Sequence, residues 1–517
     1  MVPSRAGPSM GRAWVGPESL SALRVTRTSL EQAEAVVRAW ENPASSAGGR
    51  PDDGSALLGK LFGTDGVRGL ANADLTPELA LSLGRAVVGV LLDERAGEPG
   101  RIPGQPQAPR PQVVVGRDPR ASGALLEGAL VAGICSAGGD ALLAGVVPTP
   151  AVAFLTRHYG AAAGAMISAS HNAMPDNGIK FFGPEGFKLP DALEDRIEAA
   201  LGLADQEAPR PVADGVGRSA QAADAVEAYL DHLLEGVPDL AGVPLVVDCA
   251  NGSAAAVAPE AYRRAGARVV AVAAEPDGEN INAGVGSTHP EHVRAEVLRA
   301  GAALGLAHDG DADRLLAVDE RGELVDGDVI LAVAALDERD RGALATGTVV
   351  TTVMTNLGFR QAMAGHGIRV VQTAVGDRYV LEAMRAGGHV LGGEQSGHII
   401  FLDRATTGDG ILTGLRLLSI MARTGRPLSE LATVMRRLPQ VLVNIRVTDR
   451  DGLAGSAAVA RAVAEEEAAL GDRGRVLVRA SGTEPLVRVM VEAETLDGAQ
   501  AVADRLAGVV AAELGRA

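Results

Sequence analysis

From Lys60 onward, short apolar runs alternate with longer amphipathic stretches, a rhythm that predicts strands and helices in turn and hence α/β layers. Thr76-Pro77-Glu78 supplies a cap residue and a first-turn proline, and Leu79, Leu83, Val87 and Val90 then keep one apolar face, so a helix starts there. Gln112 to Val115 reads as a buried strand ended by Gly116 and the loop Arg117 to Arg120. Leu245 to Val247 repeats the theme with Asp248 and Asn251-Gly252 at its end, and Thr348 to Met354 repeats it before Thr355-Asn356. Three α/β units are predicted. The last part changes character. Val441 to Val447, Val476 to Arg479 and Leu486 to Val491 read as strands and Ala499 to Leu514 as a helix, an α+β module.

The expected division is an N-terminal extension over 1-57, α/β domains over 58-217, 218-322 and 323-437, and the α+β domain over 438-517. Ala208-Pro209-Arg210-Pro211 and the Pro439 region suggest linkers. Residues 1-57 are punctuated by Pro, Gly and Ser, with one helix expected from Leu30 to Trp40 after Ser29, where Gln32 suits a capping box. They read as a peripheral extension, with disorder or a start codon chosen too far upstream as the other readings. No short-period repeat is evident, which argues against a solenoid.

Composition narrows the function. A chain of 517 residues exceeds what one core sustains, and 47% apolar with 22% charged residues is the balance of a globular protein. Aromatics at 3% leave the cores to Ala, Val and Leu. Lys plus Arg number 48 against 65 Asp plus Glu, so the net charge of -17 argues against nucleic acid or an anionic membrane as partner. An anionic substrate would need locally placed Arg and Lys. Cys135 and Cys249, both in apolar contexts, are too few for a disulfide framework and fit a reducing cytoplasm. No apolar run approaches the roughly 18 residues of a membrane span, and the N-terminus lacks the order of a signal peptide, so a soluble cytoplasmic protein is expected.

Several polar segments carry candidate chemistry. Ile167-Ser168-Ala169-Ser170-His171-Asn172 lies between an apolar run and Asp176-Asn177-Gly178-Ile179-Lys180, read as a polar turn returning to Phe181-Phe182. Alone, Ser170 is most simply a helix cap or a hydroxyl satisfied by its own turn. His171 and Lys180 change that reading, because they can place donors around a phosphoryl oxygen. Asp309-Gly310-Asp311-Ala312-Asp313-Arg314 puts three carboxylates at alternate positions, which in an extended loop project together and suit a hard divalent cation. A solvated acidic loop is the plain alternative, opposed by the apolar flanks Leu304 to Ala307 and Leu315 to Val318. A calcium EF-hand loop is the sharper one, since Glu320 falls at its twelfth position. Against it, Arg314 stands where that loop needs Gly, and the flanks look like strands.

Arg479-Ala480-Ser481-Gly482-Thr483-Glu484-Pro485, followed by Arg488, offers two guanidiniums, two hydroxyls and a Gly-freed backbone around one turn, suited to a phosphate dianion. An ordinary turn with surface arginines is the alternative. In Gly392-Gly393-Glu394-Gln395-Ser396-Gly397-His398 the glycines permit a tight loop presenting Glu394, Ser396 and His398 outward, where they can read sugar hydroxyls. Phe62-Gly63-Thr64-Asp65-Gly66-Val67-Arg68-Gly69 is another Gly-punctuated loop and carries Arg68.

Together, FGTDGVRG, SASHN with DNGIKFF, DGDADR, GGEQSGH and RASGTEPLVRVM, in that order from Leu61 to about Met490, resemble the α-D-phosphohexomutase superfamily and within it the phosphoglucosamine mutase family. The resemblance implies four domains, three α/β and one α+β, each giving a loop to a central cleft. It implies that Ser170 is a phosphoserine and that Ser170, Asp309, Asp311 and Asp313 hold one Mg2+ per subunit. Arg68, His171, Lys180 and Arg314 would surround the transferring phosphoryl, with Lys180 the candidate for proton transfer. Glu394, Ser396 and His398 would hold sugar hydroxyls, and Arg479, Ser481, Gly482, Thr483 and Arg488 the phosphate that is not reacting.

The implied reaction interconverts glucosamine 6-phosphate and glucosamine 1-phosphate through a sugar 1,6-bisphosphate, towards UDP-N-acetylglucosamine and cell-wall precursors. The partner implied is a small phosphosugar, with no nucleic acid and no membrane; a homodimer is compatible with the reading. A phosphomannomutase or phosphoglucomutase is the rival inside the superfamily, disfavoured by the Gln395 and Gly482 forms of their loops. A serine phosphatase that hydrolyses its phosphoenzyme and a non-catalytic metal-binding protein are the rivals outside it. One departure stands out. Ala173 occupies the position after SASHN where the family usually has Pro, which bears on loop rigidity but removes no donor or acceptor side chain.

Overall fold

The computed structural model describes residues 61–63, 65–96, 110–201, 210–481 and 485–515. The extension 1-57 with its expected helix, Ala208-Pro209, and the loop residues Gly482 and Thr483 lie outside them.

Strands β1 (Val67–Leu70), β2 (Gln112–Arg117), β3 (Asp140–Val146), β4 (Ala163–Ile167), β5 (Asp176–Phe182) and β6 (Ser219–Gln221) form one sheet in the order β1-β5-β4-β2-β3-β6. A second sheet joins β7 (Pro244–Asp248), β8 (Arg268–Val272), β9 (Leu304–His308), β10 (Leu315–Asp319) and β11 (Leu324–Val325) in the order β11-β10-β9-β7-β8. A third joins β12 (Thr348–Thr352), β13 (Arg369–Thr373), β14 (Leu391–Gly393) and β15 (Ile399–Phe401) as β13-β12-β14-β15. Each has a parallel centre closed on one side by an antiparallel return. Every residue of β9 and β12 is buried, which is why these strands read as unbroken apolar or β-branched runs rather than alternating ones. The largest apolar core runs without interruption from Val114 and Val152 through Leu245 and Leu306 to Leu331 and Leu418, so all three sheets share it.

The fourth sheet is built differently. Strands β16 (Gln440–Arg446), β17 (Arg475–Ala480) and β18 (Leu486–Glu492) pair antiparallel in the order β16-β18-β17. Along β16, Leu442, Asn444 and Arg446 are exposed while the residues between are half-buried, the alternation of a sheet with one wet face. Its core, centred on Val487, Val489, Val491, Ala503 and Leu506, is separate from the large one. Polar contacts tie it to the third sheet. Buried Glu492 accepts from Leu357 N at 3.0 Å and from Arg475, whose Nη atoms also donate to the carbonyls of Val353 and Thr355. Asn356 pins the linker by donating to Leu438 O and accepting from Leu438 N, both at 3.0 Å, while Asp328 accepts from Asn356 N at 2.8 Å.

Local expectations met five differences. The segment Asp176 to Lys180 is strand, not turn: it pairs with β1 on one side, and its Ile179 and Lys180 pair with β4 on the other. Gly116 does not end β2, which runs to Arg117, and β12 stops at Thr352. Ser219–Gln221 adds to the first sheet through β3, although a new domain was expected from 218. Glu320 accepts hydrogen bonds from Ser429, and strands flank the acidic loop, so the EF-hand reading fails. Among the described residues no helix is long and apolar enough to cross a membrane.

Candidate functional site: a buried serine against three aspartates

One device recurs four times. The segments 168–175, 309–314, 394–398 and 481–485 each connect a strand to its own antiparallel neighbour: β4 to β5, β9 to β10, β14 to β15 and β17 to β18. In the first three, the loop leaves the carboxyl end of a strand whose parallel neighbours point the same way, where side chains of several strands converge.

Ser170 is 1% exposed and takes a left-handed backbone, φ 50°. Its Oγ donates to Asp309 Oδ2 at 2.6 Å and lies 3.3 Å from His171 Nδ1. Burial, with Arg314 and Arg68 nearby, lowers the His171 pKa to about 4 and keeps the ring neutral.

The acidic loop is a turn, not the extended segment that alternation suggested. Ala312 is left-handed at φ 56° and its N–H returns to Asp309 O at 3.1 Å. That turn gathers one carboxylate oxygen from each of Asp309, Asp311 and Asp313 within 4.8 Å of one another, all buried. Asp311 Oδ2 is anchored by Thr149 Oγ1 at 2.6 Å and Lys180 Nζ at 2.8 Å. Asp311 Oδ1 and Asp313 Oδ1 are buried without a hydrogen-bond partner. Burial, Asp313 and Asp311 together hold the Asp309 pKa well above the usual range. Hard oxygen donors, orphaned acceptors and clustered like charge fit a divalent cation of the magnesium class.

Lys180 is 2% exposed and, although burial opposes its charge, Asp311, Asp65 and Asp313 outweigh it and hold the amine firmly as an ammonium. Arg68 pairs with Asp65, and Lys188 Nζ bridges Asp65 and Asp377 at 2.5 Å each, tying the first loop to the third domain. Arg314 is half-buried, its N–H on Asp309 Oδ1 at 3.3 Å and its Nε 3.7 Å from Asp313.

The third loop docks on the second through backbone: Leu315 N donates to Gly397 O at 3.0 Å, and Gly410 N to Ala312 O at 3.0 Å. Gly397, at φ 92°, admits this approach, because a Cβ there would fall 2.2 Å from Leu315 O. Glu394 is half-buried and accepts from Gly376 N at 3.2 Å, while Ser396 Oγ is buried with no partner. His398 does not point outward. It is 2% exposed, its Nε2 accepts from Gly408 N at 3.0 Å and its Nδ1 lies 3.5 Å from Asp313 Oδ2, so it backs the acidic loop.

In the fourth domain Arg479 and Arg488 stand directly opposite each other across β17 and β18, both half-buried. Burial and the neighbouring Arg488 charge lower the Arg479 pKa, the mark of two like charges that an anion between them would relieve. Buried Ser481 accepts at its carbonyl from Arg450 at 3.2 Å.

Sequence reasoning missed Asp118, Arg120, Thr149, Lys188 and Asn282. Arg120 is 1% exposed and hydrogen-bonded to three carbonyls of the Ser170 loop. The one signal was a charged loop, Arg117 to Arg120, at the end of a buried strand.

Comparison with known proteins agrees with this geometry. Residues 59–207, 227–322 and 326–438 match alpha/beta/alpha domains I, II and III of phosphoglucomutase/phosphomannomutase, and 442–509 match its C-terminal domain. The chain therefore belongs to this phosphohexomutase family. Similar solved structures include a phosphoglucomutase/phosphomannomutase family protein from Burkholderia thailandensis, with TM-score 0.72 at 24% identity over 88% of this chain and 98% of that one. Another is Aspergillus fumigatus N-acetylphosphoglucosamine mutase in complex with GlcNAc-6P and magnesium, with TM-score 0.53 at 20% identity over 70% of this chain and 92% of that one. These likenesses speak for the fold. A curated relative, phosphoglucosamine mutase of Saccharopolyspora erythraea, is 59% identical over 456 residues, 88% of this chain and all of that one. With it, the chain falls in the phosphoglucosamine mutase branch and is an isomerase.

Proposed function

We propose that the chain interconverts glucosamine 6-phosphate and glucosamine 1-phosphate by way of a phosphorylated Ser170 and a sugar 1,6-bisphosphate. The observation that carries this is Ser170 Oγ, buried and 2.6 Å from Asp309, beside two aspartate oxygens without partners. Ser170, Asp309, Asp311 and Asp313 would hold one magnesium ion, which supplies charge neutralisation and polarises the phosphoryl group.

The P–Oγ bond breaks as a bond from phosphorus to the sugar hydroxyl forms; Ser170 Oγ takes a proton from the Lys180 ammonium as it leaves, and the amine so formed takes the proton that the hydroxyl loses. Lys180, an ammonium beside Asp311, is the group suited to both transfers. Arg68, Arg314 and neutral His171 offer donors to the phosphoryl oxygens. Glu394 and Ser396 face the sugar, with His398 positioning the acidic loop. Arg479 and Arg488, with Ser481, Gly482 and Thr483, take the phosphate at rest, which lets the bisphosphate bind in either orientation. Positioning and electrostatics dominate such transfers. The proposed compartment is the cytoplasm, in keeping with two free thiols.

A coupled assay with magnesium and sugar bisphosphate tests the reading on glucosamine, glucose and mannose 6-phosphates. Fastest turnover is expected on the amino sugar. Faster turnover on glucose or mannose would move the chain to the rival mutases, and release of inorganic phosphate without isomerisation would make it a phosphatase.

A further inference from the structure

The loop that carries Ser170 has little apolar packing of its own: Ala173 and Pro175 are exposed, and His171, Asn172 and Met174 are only half-buried. Yet Ser170 holds a left-handed backbone that non-glycine residues avoid. Something outside the loop must hold it there.

Both peptide groups of Ser170 are held. Its N–H donates to Ser168 Oγ at 2.9 Å, and Ser168 Oγ donates in turn to Asp118 Oδ2 at 2.7 Å. Its carbonyl accepts from Arg120 Nη2 at 3.0 Å and from Asn282 Nδ2 at 2.9 Å. The same two side chains take the next carbonyls. Asn172 O accepts from Arg120 Nη2 at 2.8 Å and Asn282 Nδ2 at 3.0 Å, and Ala173 O accepts from Arg120 Nη1 at 2.5 Å. Arg120 is itself fixed by Asp118, through Nε at 2.9 Å and its own N–H at 3.0 Å. Asn282 arrives from the second domain, between β8 and β9, and is 9% exposed. Gly310 completes the closure, since a Cβ there would lie 2.5 Å from Ser170 O and 2.9 Å from Asn282 Nδ2.

We propose that Arg120 and Asn282 are positioning residues that clamp the Ser170 loop from two domains and set the serine oxygen against Asp309, doing by hydrogen bonds what a proline ring at position 173 would do by covalent constraint. The inference rests on the phosphoserine reading. Neither residue reaches the reacting atoms; each acts through the backbone of Ser170. No backbone hydrogen bond from the Ala173 N–H is among the described ones, so proline there would break none of them.

The test uses the full chain with Asn282→Ala, Arg120→Lys and the double variant Asn282→Ala with Ala173→Pro. Turnover of glucosamine 6-phosphate, thermal midpoint, and amide hydrogen exchange of the peptide from Ser168 to Asp176 are measured. A misplacement of about 1 Å costs up to about 100-fold in rate, so Asn282→Ala should lower kcat about 10- to 100-fold with KM within about twofold. Its thermal midpoint should stay near wild type while the loop peptide exchanges faster, and Ala173→Pro should restore part of both. Arg120→Lys, which loses the fork, should shift exchange and kcat the same way and further. Unchanged loop exchange in both single variants overturns the clamp, even if activity falls. A wild-type chain that turns over no phosphosugar overturns the phosphoserine reading instead, and exchange still judges the clamp.

Discussion

The first three domains and the fourth solve different problems with the same hairpin device. In the first three, loops interlock around buried charges, Asp309, Asp311 and Lys180 among them, over one shared core. In the fourth, the two arginines are half-buried on a sheet with a wet face and a core of its own. In the proposed mechanism the first region makes and breaks bonds, which needs fixed geometry and a dry, preorganised field, whereas the fourth domain grips the idle phosphate, which needs only a charge placed at the right distance. The joint reflects this: polar contacts through Asn356, Arg475 and Glu492 connect the fourth domain, and among the described residues no continuous apolar core crosses it.

The sharpest way to break the contrast is Ser170→Ala. The variant should fold and bind phosphosugar but lose roughly 10⁴-fold or more in kcat, because the proposed relay then lacks the hydroxyl that accepts the phosphoryl. Intact-mass analysis should find phosphate on the peptide holding Ser168 and Ser170 in wild type and none there in the variant. Near wild-type turnover would overturn the assignment. Asp311→Asn comes next. Volume is kept while a charge leaves the acidic loop, so magnesium titration should show at least about tenfold weaker binding and activity should fall with it. An unchanged magnesium dependence would remove Asp311 from the site.

On the other side of the comparison, Arg488→Ala should raise KM by about 10- to 100-fold with the magnesium affinity unaltered, since in the proposed mechanism it removes a charge that meets only the resting phosphate. Loss of magnesium affinity there would mean that the fourth domain takes part in the reacting centre.

The smallest effect on catalysis is expected at Asp328, under the joint. Burial, with Asp326 nearby, raises its pKa to about 7. A carboxyl with a raised folded pKa favours the protonated form in the fold. Its stabilising contribution is therefore present below the unfolded value of about 4 and is lost as pH rises towards 7. Asp328→Asn should flatten that slope. Thermal midpoints of wild type minus variant, followed from pH 5 to pH 8, should fall as pH rises, with turnover nearly equal; a difference independent of pH would show that Asp328 stays ionised.

The architecture was legible where one strand's letters decide its environment. Thr348 to Thr352, β-branched throughout, can be little but a buried strand, and the Gly-spaced loops declared themselves by composition. The Asp176-Asn177-Gly178 run was misread because its letters favour turns. Pairing with β1, an Asn177 amide on Ser122 Oγ at 2.9 Å and burial override that preference. Arg120 and Asn282 were invisible for another reason. Both are polar residues in loops, and only the folded chain brings them to carbonyls 50 and 112 positions away from their own. His398 sits in a legible motif, but which side of a tight loop its ring takes is decided by Gly408 and Asp313, from outside that loop.

Because the loop between β9 and β10 joins a strand to its own antiparallel partner, its length is also a register setting. One residue added to Asp309–Arg314 would slide β10 along β9, exchanging the faces of Leu315 and Leu316 and unseating the contact of Leu315 N with Gly397 O. The spacing that serves the chemistry and the offset that aligns the sheet are one quantity. The acidic loop can be respelled but not relengthened, and an insertion confined to it would be felt at the loop 394–398.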